Sequence, residues 1–210
     1  MRFSPRIPPP QPPDAANLDA QTFLPRLWRV PFVAIDFEQD PLISDGAHAV
    51  GMVRVEQGRV VGRLVSAIRW PDGVHTWPVR ARQYVMQRAA PTFAALWPQM
   101  RALMEGAEFL AAHNASYDRR VLRHACVAAG VVGPRLPFVC SLAVARATWP
   151  LRSHALNVVC EHLGIALNHH EPLSDAEACA NVLLAARPPR RVVHWTRPAT
   201  SALPQDVAAE

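Results

Sequence analysis

The chain has 210 residues, half of them hydrophobic, with a formal net charge of +5 and a pI near 9.7. That length suits one domain with tails and a full core. No apolar run reaches the roughly 18 residues of a membrane span, and no apolar signal segment follows Met1-Arg2-Phe3-Ser4-Pro5, so no membrane association and a cytoplasmic location are expected. All 22 basic residues are arginine, and the basic balance favours a polyanionic partner. The cysteines, Cys126, Cys140, Cys160 and Cys179, form no Cys-x-x-Cys pair. That spacing argues against a zinc site or a disulfide framework and for buried free thiols.

Residues 1–30 form a Pro-rich arm containing Pro8-Pro9-Pro10-Gln11-Pro12-Pro13, expected to be extended. Residues 31–38 are apolar, β-branched and aromatic and read as a buried strand. Residues 48–56 and 59–69 alternate around Gln57-Gly58, the signal of a hairpin. A helix is expected over 92–105, a short strand over 108–113, and an amphipathic helix over 116–129 that stops at Gly130. A strand over 136–140 and a short helix over 141–147 follow. Helices over 154–163, ended by Gly164, and 173–186, stopped by Pro188-Pro189, complete a domain of residues 31–187. Residues 188–210 read as a Pro- and Arg-containing tail. A hairpin followed by strand–helix alternation predicts a mixed α/β sheet with helices on its faces.

The first strand ends in Asp36-Phe37-Glu38. Alternation along a strand points Asp36 and Glu38 the same way, roughly 7 Å apart. Two like charges there repel unless a cation lies between them. Asp118 falls on the apolar stripe of its helix, followed by Val121, Leu122, Ala125, Ala128 and Ala129 at helical spacing. Asp175 repeats the pattern with Cys179, Val182, Leu183 and Ala186. Helix capping accounts for either acid alone, but not for the two acids that the first strand also presents. Oxygen-only donors suit Mg²⁺ or Mn²⁺ rather than zinc. Two such ions support phosphodiester cleavage by water. Pro172 suits a first helical position, which leaves His170 in the preceding loop, able to reach the pocket of Asp175. An imidazole there can accept a proton from water near neutral pH. By composition alone His169 is an equal candidate.

Ile35-Asp36-Phe37-Glu38, His113-Asn114-Ala115-Ser116-Tyr117-Asp118 and His170-x-x-x-x-Asp175-Ala176-Glu177-Ala178 resemble, in order, the three motifs of DnaQ-like DEDDh 3′–5′ exonucleases. Ala90-Pro91-Thr92-Phe93 and the stretch from Leu156-Asn157 to His170 are also similar to that family. The resemblance implies an RNase H-like fold, a mixed five-stranded sheet flanked by helices. It implies Asp36, Glu38, Asp118 and Asp175 as ligands of two divalent cations, Mg²⁺ or Mn²⁺, and His170 as general base, since the motif leaves four residues between it and the final Asp. The implied reaction removes 3′-terminal nucleotides from single-stranded or frayed DNA and releases mononucleotides, in proofreading or repair. A His-Gly-Ile segment common in relatives is absent, and Arg80-Ala81-Arg82-Gln83-Tyr84-Val85 stands there instead. Gln39 follows Glu38 where Thr or Ser is common. Candidate strand contacts are Asn114, Arg80, Arg82 and Arg119. The alternatives are an exoribonuclease with the same site, because the metal chemistry acts on either backbone, or a weakly active module that docks on a DNA polymerase or repair complex through the Pro-rich tails.

Overall fold

The computed structural model describes residues 30–39, 46–69 and 89–186. The Pro-rich arm, the C-terminal tail, Arg80 and Arg82 lie outside the described residues. Strands β1 (Phe32–Gln39), β2 (Ala47–Glu56) and β3 (Arg59–Ala67) precede helix α1 (Phe93–Met104). There follow β4 (Phe109–Ala112), α2 (Ala115–Ala128), β5 (Phe138–Cys140), α3 (Ser141–Thr148), α4 (Leu156–Leu163) and α5 (Pro172–Ala185). Every predicted strand and helix that falls on described residues is present, with ends within two residues of expectation. Among the described residues no helix is long and apolar enough to cross a membrane.

The strands form one sheet in the order β3-β2-β1-β4-β5. The first three pair antiparallel through the hairpin, whose turn uses positive φ at Gln57 and Gly58. β4 joins β1, and β5 joins β4, in parallel. β1 is therefore central, and its alternation divides the core. Val33, Ile35 and Phe37 pack with Val50, Met52 and Leu110 under α1 and α2. Phe32 and Ala34 pack with Val53, Val55, Phe109 and Ala111 under α5. Phe32 and Phe109, opposite each other in register, stack with centroids 4.9 Å apart. Asp36 and Glu38 continue the parity of Phe32 and Ala34, so they emerge on the α5 face.

Local caps fix the helix ends. Thr92 Oγ1 accepts the Ala95 amide at 3.2 Å and starts α1. Arg54 closes its other end, donating from one guanidinium nitrogen to the carbonyls of Leu103 and Glu105 while Glu56 holds Nε at 2.7 Å. Pro172 occupies the first turn of α5, as its missing N–H allows.

The approach of α5 to the sheet depends on Gly51. This residue is paired with Asp36 across β1 and β2. A Cβ built on it would collide with the Pro172 carbonyl and the Leu173 nitrogen, both backbone and unable to rotate away. Gly51→Ala should thus push the start of α5 off the sheet and destabilise the fold by about 3 kcal/mol. Urea denaturation measures this, and a change below about 0.5 kcal/mol would contradict the close approach.

Candidate metal centre

Asp36 and Glu38 lie past the point where β4 stops covering β1, and both are partly buried. Asp175 sits in the first turn of α5, only 4% exposed. One carboxylate oxygen from each of Asp36, Glu38 and Asp175 can be chosen so that all lie within 4.8 Å of one another. Two strand residues of one parity and one helix start thus bring three acids together.

Asp118 is close by but stands outside that trio. It is 2% exposed, on the buried stripe of α2 with Ala115, Val121, Leu122 and Cys126. Around Cys126 the stripe continues as expected through Ala125 and Ala129, partly buried against the same cluster, while Ala128 is exposed. Parallel pairing of β1 with β4 ends at Ala34 and Ala111, which leaves the Phe37 amide beyond the ladder. Asp118 Oδ1 accepts that N–H at 3.0 Å, so the acid completes the sheet where the strand runs out.

The electrostatics are those of crowded anions. Burial, then the charges of Asp118, Asp175 and Glu38, all act in one direction on Asp36 and push it up to about 8. Burial raises Asp118 to about 7, opposed by the amides of Phe37 and of Asp118 itself, and assisted by Glu38. Tyr117, next to Asp118, is also raised, by burial first and then by Asp118 and Glu38.

Both histidines of the α4–α5 loop border the site, in different ways. His169 Nδ1 lies 3.3 Å from each oxygen of Asp175. His170 adopts a left-handed φ of 67°, and its backbone N–H donates to Asp175 Oδ2 at 3.0 Å. The two rings stack with centroids 4.1 Å apart. The ring touching Asp175 is therefore that of His169, while His170 reaches the acid through its main chain. Asn114, at the start of α2, is exposed and left-handed at φ 72°, with its Oδ1 accepting from Ser116. Arg119 is partly buried on the same helix. Gly51 is a residue that sequence reasoning missed. Its signal was a glycine inside an alternating strand, which marks a close backbone approach.

The Exonuclease family model (RNase T) matches residues 81–183, a span that holds Asn114, Asp118, His170 and Asp175. Over 159 residues, 73% of this chain, the sequence is 27% identical to the DNA polymerase III PolC-type of Thermotoga petrophila, and covers 12% of that protein. It is 26% identical to exodeoxyribonuclease 10 of Escherichia coli over 156 residues, 68% of this chain and 62% of that protein. The chain thus spans about an eighth of the polymerase and under two thirds of the exodeoxyribonuclease. Among solved structures, exonuclease X in complex with 5′ overhanging duplex DNA superposes with a TM-score of 0.52 at 22% identity, over 74% of this chain and 90% of that one. The mixed five-stranded sheet with its flanking helices has the RNase H-like fold of these exonucleases. Over residues 81–183 the chain thus carries a match to the Exonuclease family model, and in sequence and fold it is similar to the DnaQ-like exonucleases.

Proposed function

We propose that residues 31–187 form a metal-dependent exonuclease domain that removes 3′-terminal nucleotides from single-stranded or frayed DNA. The observation that carries this reading is the meeting of Asp36, Glu38 and Asp175 within 4.8 Å. The donor set fits hard divalent cations: it offers only oxygen, and every contribution to Asp36 opposes its charge, a cost that a cation removes. Asp36, Glu38 and Asp175, with Asp118 beside them, would hold two such ions, Mg²⁺ or Mn²⁺. When bound, the ions supply electrostatic stabilisation to a phosphodiester and activate water toward it.

The chain's own groups do the rest. His170 takes the proton of the attacking water on a ring nitrogen, from a loop held by its own N–H to Asp175. A second reading gives that proton to His169, because its Nδ1 is the imidazole atom at 3.3 Å from Asp175. Asn114 and Arg119 on α2, with Arg80 and Arg82, contact the strand. A DNA substrate is favoured by the relatives, named a DNA polymerase and an exodeoxyribonuclease. The same likeness supports a polymerase or repair complex as partner.

A panel of 3′-labelled oligonucleotides, DNA, RNA and mismatched duplex, tests this reading in Mg²⁺ and in Mn²⁺. Single-nucleotide products from the 3′ end of DNA are expected, with slower loss from RNA; RNA degraded faster would move the function to RNA trimming. Asp36→Ala should lower the rate at least about a hundredfold while the protein stays folded. Wild-type rates from that variant would sink the reading.

His170→Ala and His169→Ala separate the two proton acceptors. The larger fall in kcat, about a hundredfold or more, is expected for His170→Ala. The reverse order would assign the proton to His169.

Stability should also depend on pH. A carboxylate raised above its unfolded value of about 4 binds more protons folded than unfolded. Its contribution is fully present below that value and is lost as pH rises through the folded pKa, about 7 for Asp118 and about 8 for Asp36. In chelator, the Tm should fall as pH rises from about 5 to about 8.5 and recover when Mg²⁺ is added. Asp36→Asn should flatten this slope. A Tm in chelator that is constant or rising across the window would contradict the crowded-acid geometry.

A further inference from the structure

A chain of hydrogen bonds runs behind the acidic centre, through residues that the reaction does not use. His113 Nε2 lies 2.9 Å from the His154 carbonyl, and Nδ1 lies 2.9 Å from Ser141 Oγ. Cys179 Sγ lies 3.3 Å from the same Ser141 Oγ. His154 is itself tied, its Nε2 2.9 Å from the Trp149 carbonyl.

The directions of these bonds follow from their chemistry. A carbonyl only accepts, so His113 carries its proton on Nε2 and donates to His154. A neutral ring then has an acceptor at Nδ1, and Ser141 donates to it. Having spent its single hydrogen, Ser141 Oγ accepts from the Cys179 thiol. The 3.5 Å approach of Ser141 Oγ to the Ala112 carbonyl is then only a contact. Burial, the largest influence on His113, favours the neutral ring and outweighs the carbonyl of His154. Ser141 and Cys179 are essentially inaccessible to solvent, at 0% and 1% exposure.

The chain links the parts of the fold that carry the acids. His113 adjoins Asn114, whose left-handed backbone, a conformation asparagine tolerates better than most residues, launches the helix of Asp118. Ser141 begins α3 at the end of β5. Cys179 lies one turn beyond Asp175 on α5, on the same face. We propose that His113, Ser141 and Cys179 form a positioning relay that locks the helix of Asp118 and the helix of Asp175 at the separation the metal centre needs. The relay rests on the metal-centre reading and extends it to residues that touch neither ion nor substrate.

Mn²⁺ binding to the full chain, followed by calorimetry alongside Tm, tests the relay without reference to turnover. Ser141→Ala removes both central bonds and should weaken Mn²⁺ binding about tenfold. Val159→Ala, a cavity in the cluster that Ala145, Ala178 and Val182 share, loosens the packing of α3 and α5 without removing a relay hydrogen bond and serves as the control. It should lower Tm by a similar amount and leave Mn²⁺ affinity within about twofold. Cys179→Ser keeps a donor to Ser141 and should bind Mn²⁺ like the wild type; Cys179→Ala should bind it several-fold more weakly. Should Ser141→Ala fail to fold, the Cys179 pair carries the test. Unchanged affinity in Ser141→Ala, an equal loss in Val159→Ala, or equal behaviour of the two Cys179 variants overturns the relay alone. A wild-type chain that binds no Mn²⁺ overturns the metal centre and the relay together.

Discussion

Repulsion between carboxylates held together by the backbone is the constraint on which the rest of this structure turns. Asp36, Glu38 and Asp175 present oxygens within 4.8 Å of one another. At an effective dielectric of about 20, each ionised pair at that distance opposes folding by roughly 3 kcal/mol. None of the three can withdraw cheaply. Asp36 and Glu38 are fixed by the parity of the central strand, and Asp175 by the first turn of α5. That turn lies hard against Gly51, where a single Cβ would force it away. Asp36 must therefore take up a proton or share a cation, and its upward shift, like that of Asp118, describes the first of these states.

Asp118 shows how the fold uses one acid for two tasks. Its Oδ1 completes the hydrogen bonding of β1 at Phe37, where β4 has ended. Its charge meanwhile is one of the influences that hold Asp36 up. The loop before α5 is similarly economical. The left-handed turn at His170 brings its N–H to one oxygen of Asp175 and leaves the His169 ring against both. His170 thus holds the acid by its main chain, and His169 by its ring.

Most of this was legible in the sequence because it is written in periodicity. The alternation of residues 32–38 set Asp36 and Glu38 on one face, and helical spacing put Asp118 and Asp175 on buried stripes. The order of strands and helices gave a mixed sheet, and the motif resemblance gave its kind. Three features were not legible. Position in a sequence does not say which of two adjacent imidazoles faces an acid, since a single left-handed residue exchanges them. Nor does it show that Asp118 turns an oxygen to a strand amide, because that depends on where β4 stops. The linking of His113, Ser141 and Cys179 is a contact among residues far apart in the chain, invisible to any local pattern. Gly51 lies between these cases: an isolated glycine in a strand signals close approach, but not what approaches.

Metal binding at neutral pH should displace protons from the centre, and counting them tests the crowded-acid account most directly. Calorimetric titration with Mn²⁺ at about pH 7, repeated in two buffers of different ionisation enthalpy, gives the number released. With Asp36 near 8 and Asp118 near 7 before binding, about one proton or more should leave per chain. Binding that releases none would mean the acids are already ionised and apart, contrary to the geometry described.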